Sequence, residues 1–227
     1  MSEGLFVKIC GVTSEADALL AVSLGASAVG FIFAPSPRQV SVQLAGDIAK
    51  RLPEHVLTVG VFRNEAPQRV VDAVRVAGLG AAQLHGQETA EETQWVRARV
   101  PTVIKAFRAG ERAIGRFEEF GADYLLVDGD NPGSGQVFDW RLAEGVADPH
   151  RLIVSGGLTP DNVAQAVASL RPAGVDVSTG VESAPGRKDP LLVRAFIVNA
   201  RQAHAETATR DAPVDSVAEE PYDWRDG

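Results

Sequence analysis

A lone thiol and a strand-end carboxylate are the side chains in this sequence best placed to move a proton. Cys10 closes the apolar run Leu5-Phe6-Val7-Lys8-Ile9 and is followed by Gly11, then by Thr13-Ser14-Glu15, which opens a helical pattern. Asp128 closes Tyr124-Leu125-Leu126-Val127 and is followed by Gly129. A thiolate accepts a proton only if its surroundings favour ionisation, and a carboxyl group donates one only while it is held protonated. An isolated cysteine is otherwise a small buried hydrophobe, and a strand-end aspartate otherwise caps a turn or pairs with a base. Which description applies depends on where the chain brings these two strand ends.

Two turns carry glycine in a pattern that receives an anion. Ser155-Gly156-Gly157-Leu158 precedes a helix expected near Thr159, and Ser178-Thr179-Gly180-Val181 follows another apolar run. Glycine lacks Cβ, so bare N–H groups can approach an anion, and a helix N-terminus adds partial positive charge. The two turns are therefore expected to bind phosphate; the alternative is that they are tight turns and nothing more. Arg38 lies in Pro35-Ser36-Pro37-Arg38, where stiff backbone could hold a guanidinium for bidentate carboxylate recognition, although from these residues alone an ordinary surface arginine is the better reading. Asp176 is read as orienting a polar part of the substrate or as fixing its own turn. His85, within Gln83-Leu84-His85-Gly86, is open between a base and a hydrogen-bonded core residue. The four histidines, His55, His85, His150 and His204, have no short ligand spacing, so no metal is expected. With no Walker A or dinucleotide fingerprint either, no cofactor is expected.

These residues need a scaffold that gathers strand ends. Apolar, β-branched runs occur at 5–9, 28–33, 56–62, 81–85, 101–107, 123–128, 152–155 and 174–178. Between them lie segments of 3.6-residue periodicity such as Ala16-Leu19-Leu20-Ser23 and Val70-Val71-Val74-Ala77. Ser14 or Thr13 is expected to cap the first helix. Gly25, Gly78, Gly121 and Gly174 are expected to end helices in the left-handed conformation. Strand and helix alternate throughout, and the runs are apolar nearly end to end, as for parallel strands covered on both faces. The fold class expected is α/β, a single (β/α)8 TIM barrel over residues 1–205, with 206–227 as a disordered acidic tail. An open doubly wound sheet is the competing fold, but its Gly-rich first turn is missing from Cys10-Gly11-Val12. In a barrel all strand C-termini share one face, and the turns after strands seven and eight are the recurrent phosphate site.

Composition narrows the function classes. The chain has 227 residues, 45% of them hydrophobic, enough for a sizeable core. Its single cysteine excludes an internal disulfide framework and fits a reducing compartment. No run approaches the roughly 18 apolar residues of a membrane span, so a soluble, cytoplasmic protein is expected. Of the formal charge of −8, residues 206–227 contribute −5 through seven acids and two arginines, leaving −3 on the body. A body so near neutrality offers no basic patch for nucleic acid. An anionic ligand must be captured by local groups.

Taken in order along the chain, these motifs resemble the phosphoribosylanthranilate isomerase family of tryptophan biosynthesis. The resemblance spans about residues 5–200. It rests on Lys8-Ile9-Cys10-Gly11, Gly30-Phe31-Ile32-Phe33 with Ser36-Pro37-Arg38, Val59-Gly60-Val61-Phe62 and Gln83-Leu84-His85-Gly86. It continues through Leu126-Val127-Asp128, Gly133-Ser134-Gly135, Phe138-Asp139-Trp140, Gly156-Gly157-Leu158, Gly180-Val181-Glu182 and Gly186-Arg187-Lys188-Asp189. Ser155 and Thr179 stand where Ala and Ser are more usual, and Asp130-Asn131-Pro132 is an unusual approach to the Gly133 loop. The resemblance implies a cofactor-free Amadori rearrangement, with Cys10 as general base, Asp128 as general acid and Arg38 on the anthranilate carboxylate. It also implies Asp176 near the anthranilate amine or carboxylate region and phosphate held around Gly156, Gly157, Thr179 and Gly180. The partner implied is a phosphorylated small molecule; other tryptophan-pathway enzymes stay open as partners. The alternatives are a histidine-pathway or bifunctional phosphosugar isomerase, an indoleglycerol-phosphate synthase type, and a non-catalytic phosphate-binding barrel. The first is disfavoured by a thiol where a carboxylate is wanted at strand one. The second wants a catalytic lysine pair that Lys8 and Lys105 match poorly. Purified protein is expected to consume phosphoribosylanthranilate without added cofactor, followed by anthranilate fluorescence; tight binding without turnover would favour the non-catalytic barrel.

Overall fold

The computed structural model describes residues 4–129 and 148–211. Eight parallel strands follow one another around a closed barrel: β1 (Phe6–Cys10), β2 (Ala28–Ile32), β3 (Leu57–Phe62), β4 (Ala81–Leu84), β5 (Thr102–Arg108), β6 (Tyr124–Asp128), β7 (Leu152–Ser155) and β8 (Gly174–Val177). β8 pairs with β1, setting Lys8 opposite Asp176. Helices α1 (Glu15–Ser23), α2 (Val42–Ala49), α3 (Pro67–Ala77), α4 (Ala90–Arg97), α5 (Val163–Leu170) and α6 (Pro190–Asp211) lie between or after the strands. The β5–β6 connection is a kinked 3₁₀ segment, Arg112–Phe120, with Gly115 in its middle and non-helical backbone at Arg116; a central glycine disfavours a regular helix. After β8, the short strands β9 (Glu182–Ala184) and β10 (Arg187–Lys188) pair antiparallel before α6 begins. Among the described residues no helix is long and apolar enough to cross a membrane.

Strand alternation sorts side chains into two cores. Phe6, Ala28, Val59, Ala81, Ile104, Ala106, Leu126 and Ile153 fill the barrel. Val7, Ile9, Val29 and Phe31 face outward against helix residues such as Ala18, Ala45, Val163 and Phe196. With period two, Phe6 inward makes Lys8 and Cys10 inward as well. The inner residues at the strand C-termini are therefore polar or small, and those behind them apolar.

Local signals place most boundaries. Ser14 caps α1 by accepting from the Asp17 N–H at 3.1 Å, and Gly25, Gly78 and Gly121 take positive φ. Gly174 does not: it is the first residue of β8, and Arg171, at φ 46°, takes the left-handed position that ends α5. A Cβ on Gly174 would come within 2.7 Å of the Phe6 carbonyl oxygen, so that glycine serves strand packing. The α5 helix starts at Val163, later than the expected position near Thr159. Asn162 instead fastens the preceding turn, accepting from the Thr159 N–H at 2.8 Å and donating to the Gly157 carbonyl at 2.9 Å. The boundary expected at residue 205 is also corrected: α6 continues to Asp211, with Ala203 and Thr207 buried. The remainder of the expected tail, 212–227, and the motifs between Asp130 and Trp140 lie outside the described residues.

One buried ion pair ties the β3 and β4 ends together. Lys105 on β5 donates to Glu88 at 2.8 Å and to the Gly86 carbonyl at 2.8 Å. Glu88 accepts from the N–H groups of Asn64 and Gly86, each at 2.9 Å. Burial works to raise the Glu88 pKa, but Lys105, with the Asn64 N–H, outweighs it and holds the carboxyl below its ordinary value. Its contribution to stability is thus present above the ordinary carboxylate pKa and is lost as pH falls through the lower folded value. Lys105→Met leaves the Glu88 carboxylate buried and unpaired and is expected to cost about 3–5 kcal/mol in urea unfolding. Lys105→Met with Glu88→Gln should recover part of that loss; an unchanged midpoint for the single variant would refute the clamp.

Candidate active site

The C-terminal strand ends bring the expected residues to one mouth. A cavity of about 210 Å³ is lined by Cys10 from β1, Arg38 from the loop after β2, Asp128 from β6, Gly156 and Gly157 after β7, and Asp176 and Thr179 from β8 and its turn. Gln83 and His85 complete its wall. A larger opening of about 660 Å³, lined in part by Arg63, Phe107 and Arg108, shares His85 and Asp128 and widens the mouth above β3–β6. The opposite end of the barrel holds a cavity of about 240 Å³, lined by Phe6, Leu57, Ile104, Tyr124 and Ile153 among others. Similar size does not make it equivalent. It lacks the convergence of thiol, carboxylates and glycine turn.

Cys10 is 6% exposed. It pairs in register with Gly30, where an added Cβ would lie 2.8 Å from Sγ and 3.2 Å from the Lys8 ammonium, so glycine there makes room for both. Burial is the main influence pushing the Cys10 thiol up, and Asp176 adds to it; Lys8 and Lys188 pull the other way without overcoming it. Lys8 is fully buried and donates to Asp176 Oδ1 at 2.9 Å.

Across the cavity, Asp128 Oδ2 lies 3.0 Å from His85 Nε2, and His85 Nδ1 lies 2.9 Å from the Gln83 amide nitrogen. With that nitrogen as donor, Nδ1 accepts, so the ring proton sits on Nε2 and is donated to Asp128. His85 is thus a hydrogen-bonded neighbour that orients the aspartate. Gln83 is 1% exposed, and among the described residues its Oε1 has no partner.

Arg38 is at the mouth but already engaged. Its Nε and Nη2 donate to the two Glu182 carboxylate oxygens at 2.7 and 2.6 Å. Lys188 donates to Glu182 at 2.9 Å and to the Ser178 carbonyl at 3.1 Å. One carboxylate between two cations leaves the trio with one net positive charge. The bidentate edge of Arg38 expected to meet a ligand is thus occupied by a protein carboxylate.

The two glycine turns interlock. Gly156 and Gly157 take φ of 87° and 64°. A Cβ on Gly156 would overlap the Gly129 backbone nitrogen and come within 2.6 Å of Asp128 Oδ1. One on Gly180 would overlap the Leu158 carbonyl oxygen. Thr179–Val181 forms a single 3₁₀ turn beside them. The β7 and β8 turns therefore meet backbone to backbone, with the Asp128 strand end pressed against the first.

A sequence profile described as N-(5'phosphoribosyl)anthranilate (PRA) isomerase matches residues 7–199. The chain belongs to that isomerase family. It is 47% identical over 204 residues to the N-(5'-phosphoribosyl)anthranilate isomerase of Desulforudis audaxviator, covering 87% of this chain and 98% of the relative. The crystal structure of phosphoribosyl anthranilate isomerase from Thermotoga maritima matches with a TM-score of 0.80 and 42% identity, over 87% of this chain and 99% of that one. A phosphoribosyl anthranilate isomerase in complex with reduced 1-(o-carboxyphenylamino)-1-deoxyribulose 5-phosphate matches with a TM-score of 0.78 and 40% identity, over the same shares.

Within this isomerase barrel, the sequence reading overlooked Lys8, Gln83, Glu182 and Lys188. Lys8 and Gln83 were reachable by parity, since each lies two residues from a cavity-lining residue, Cys10 or His85, on its own strand run. The pairing of Arg38 with Glu182 spans 144 residues and has no local signal. Gly180→Ala forces the interlocked turns apart; it should lower stability by about 1–3 kcal/mol. It should also raise KM for the phosphorylated substrate by roughly tenfold or more, equivalent to about 1.4 kcal/mol. Parental KM and thermal midpoint would refute the interlock as part of the site.

Proposed function

We propose that this chain converts N-(5-phosphoribosyl)anthranilate to 1-(2-carboxyphenylamino)-1-deoxyribulose 5-phosphate, acting in the cytoplasm without a cofactor. One observation carries the reading: Cys10 and Asp128 line a single cavity whose floor continues into the Gly156–Gly157 turn. A phosphate held at that turn places the sugar between sulfur and carboxyl. Backbone N–H groups around Gly156, Gly157, Thr179 and Gly180 take the phosphate. Asp176 meets the amine region of the anthranilate. Arg38 serves the anthranilate carboxylate through the net positive charge it shares with Lys188 and Glu182, by its remaining nitrogen or by exchange with Glu182.

In the reaction, protonated Asp128 gives its proton to the furanose ring oxygen as the C1–O bond breaks, and the nitrogen lone pair forms a C1=N iminium. The Cys10 thiolate removes the C2 proton; that electron pair makes the C1=C2 bond and neutralises nitrogen. The enolamine loses its hydroxyl proton and gains one at C1, giving the ketone. No electrons are gained or lost overall. The enzyme finishes with a thiol and a carboxylate, so each turnover must return the proton from sulfur to oxygen. Reference values of about 8.5 for Cys and 3.9 for Asp favour the finished state by roughly 6 kcal/mol, and burial at Cys10 adds to that preference. Binding of substrate must narrow the gap.

Cys10→Ser and Asp128→Asn should each lower kcat by about 10²- to 10⁴-fold while thermal midpoints stay near parental. Near-parental turnover in either folded variant would reject its assignment.

A further inference from the structure

Lys8 has no part in the acid–base pair just described, yet it is the cation on Cys10's own strand. Both side chains point into the barrel, two residues apart. Opposite them β2 offers only Ala28 and Gly30, and the distances to the Gly30 position put Nζ and Sγ within about 6 Å of each other. On the other side β8 sets Asp176 in register with Lys8, its carboxylate 2.9 Å from the ammonium and 4% exposed as a residue. A fully buried ammonium retained between a carboxylate and a thiol demands a reason, since a buried ion pair is rarely kept for stability alone.

We propose that Lys8 is a positioning residue that sets the ionisation of Cys10, its charge being divided between Asp176 and the sulfur. The inference rests on Cys10 acting as the base. Other charged groups also face the sulfur. Lys188 comes from β10 and Arg38 from the loop after β2, and both are held at the mouth by Glu182. Asp128 and His85 stand across the cavity from β6 and the end of β4. Lys8 differs in that its carboxylate partner, Asp176, lines the substrate cavity. Burial works to lower the Lys8 pKa, but Asp176 and Cys10 outweigh it and keep the ammonium protonated above its ordinary value. When a substrate N–H engages Asp176, the carboxylate's hold on Lys8 weakens and more of the positive charge serves the sulfur. Substrate binding thereby promotes the thiolate it needs.

The single cysteine makes the test direct, because alkylation by iodoacetamide reports Cys10 alone. Rates are measured against pH on the full ligand-free chain. Asp176→Asn removes the competing anion and should move the midpoint of the curve down by about one pH unit, a tenfold change in thiolate fraction near neutrality. Lys8→Met with Asp176→Asn removes both charges, leaves no unpaired buried ion and should move the midpoint back up by at least as much. These opposite displacements are not expected of a structural role. Coincident curves for the two variants, each with a cooperative thermal transition, would overturn the proposal while leaving the assignment of Cys10 intact. Undiminished turnover in Cys10→Ser would instead remove the base on which it rests.

Discussion

The pairing of β8 with β1 closes the sheet, and the site depends on that seam. It sets Lys8 beside Asp176 and leaves Cys10 one step above them, against Gly30 on the other neighbour. Without closure the two ends of the chain would be opposite edges of a sheet, and a thiol from the first strand could not share a cavity with the turn after the last. At the seam a buried charge is tolerated because Lys8 meets Asp176. Among the described residues the other buried cations at this end also have a carboxylate within hydrogen-bond reach, Lys105 with Glu88 and Lys188 with Glu182.

These pairs are not interchangeable. Lys105 and Glu88 join the turns after β3 and β4, including the segment that presents His85, and their charges are consumed by backbone groups and by each other. Glu182 divides one carboxylate between Arg38 and Lys188 and keeps both at the mouth. Lys8 and Asp176 lie deepest, directly under the sulfur. Burial strengthens every one of these interactions and equally raises the cost of leaving any member unpaired.

Much of this was legible in the sequence because the barrel reads locally. All eight strand runs are where the apolar segments lie, since strands covered on both faces leave little room for polar residues. The identities at their ends, Cys10, Asp128 and Asp176, then follow from position alone. What was not legible is long-range or conformational. Gly174 looks like a helix terminator but is needed for close packing against Phe6, and Arg171 takes the left-handed turn in its place. Nothing near Arg38 announces Glu182. Lys8 was visible as a lysine in an apolar run; its meaning required knowing that the eighth strand lies beside the first.

The contact between Gly156 and the Gly129 backbone carries a further consequence. It joins the turn after β7 to the strand that bears Asp128, with no side chain between them to absorb a change. Loosening that turn would drag the Asp128 carboxylate off its line. Space for a bulkier ligand lies instead in the larger opening above β3–β6, which Arg63 and Arg108 help to line.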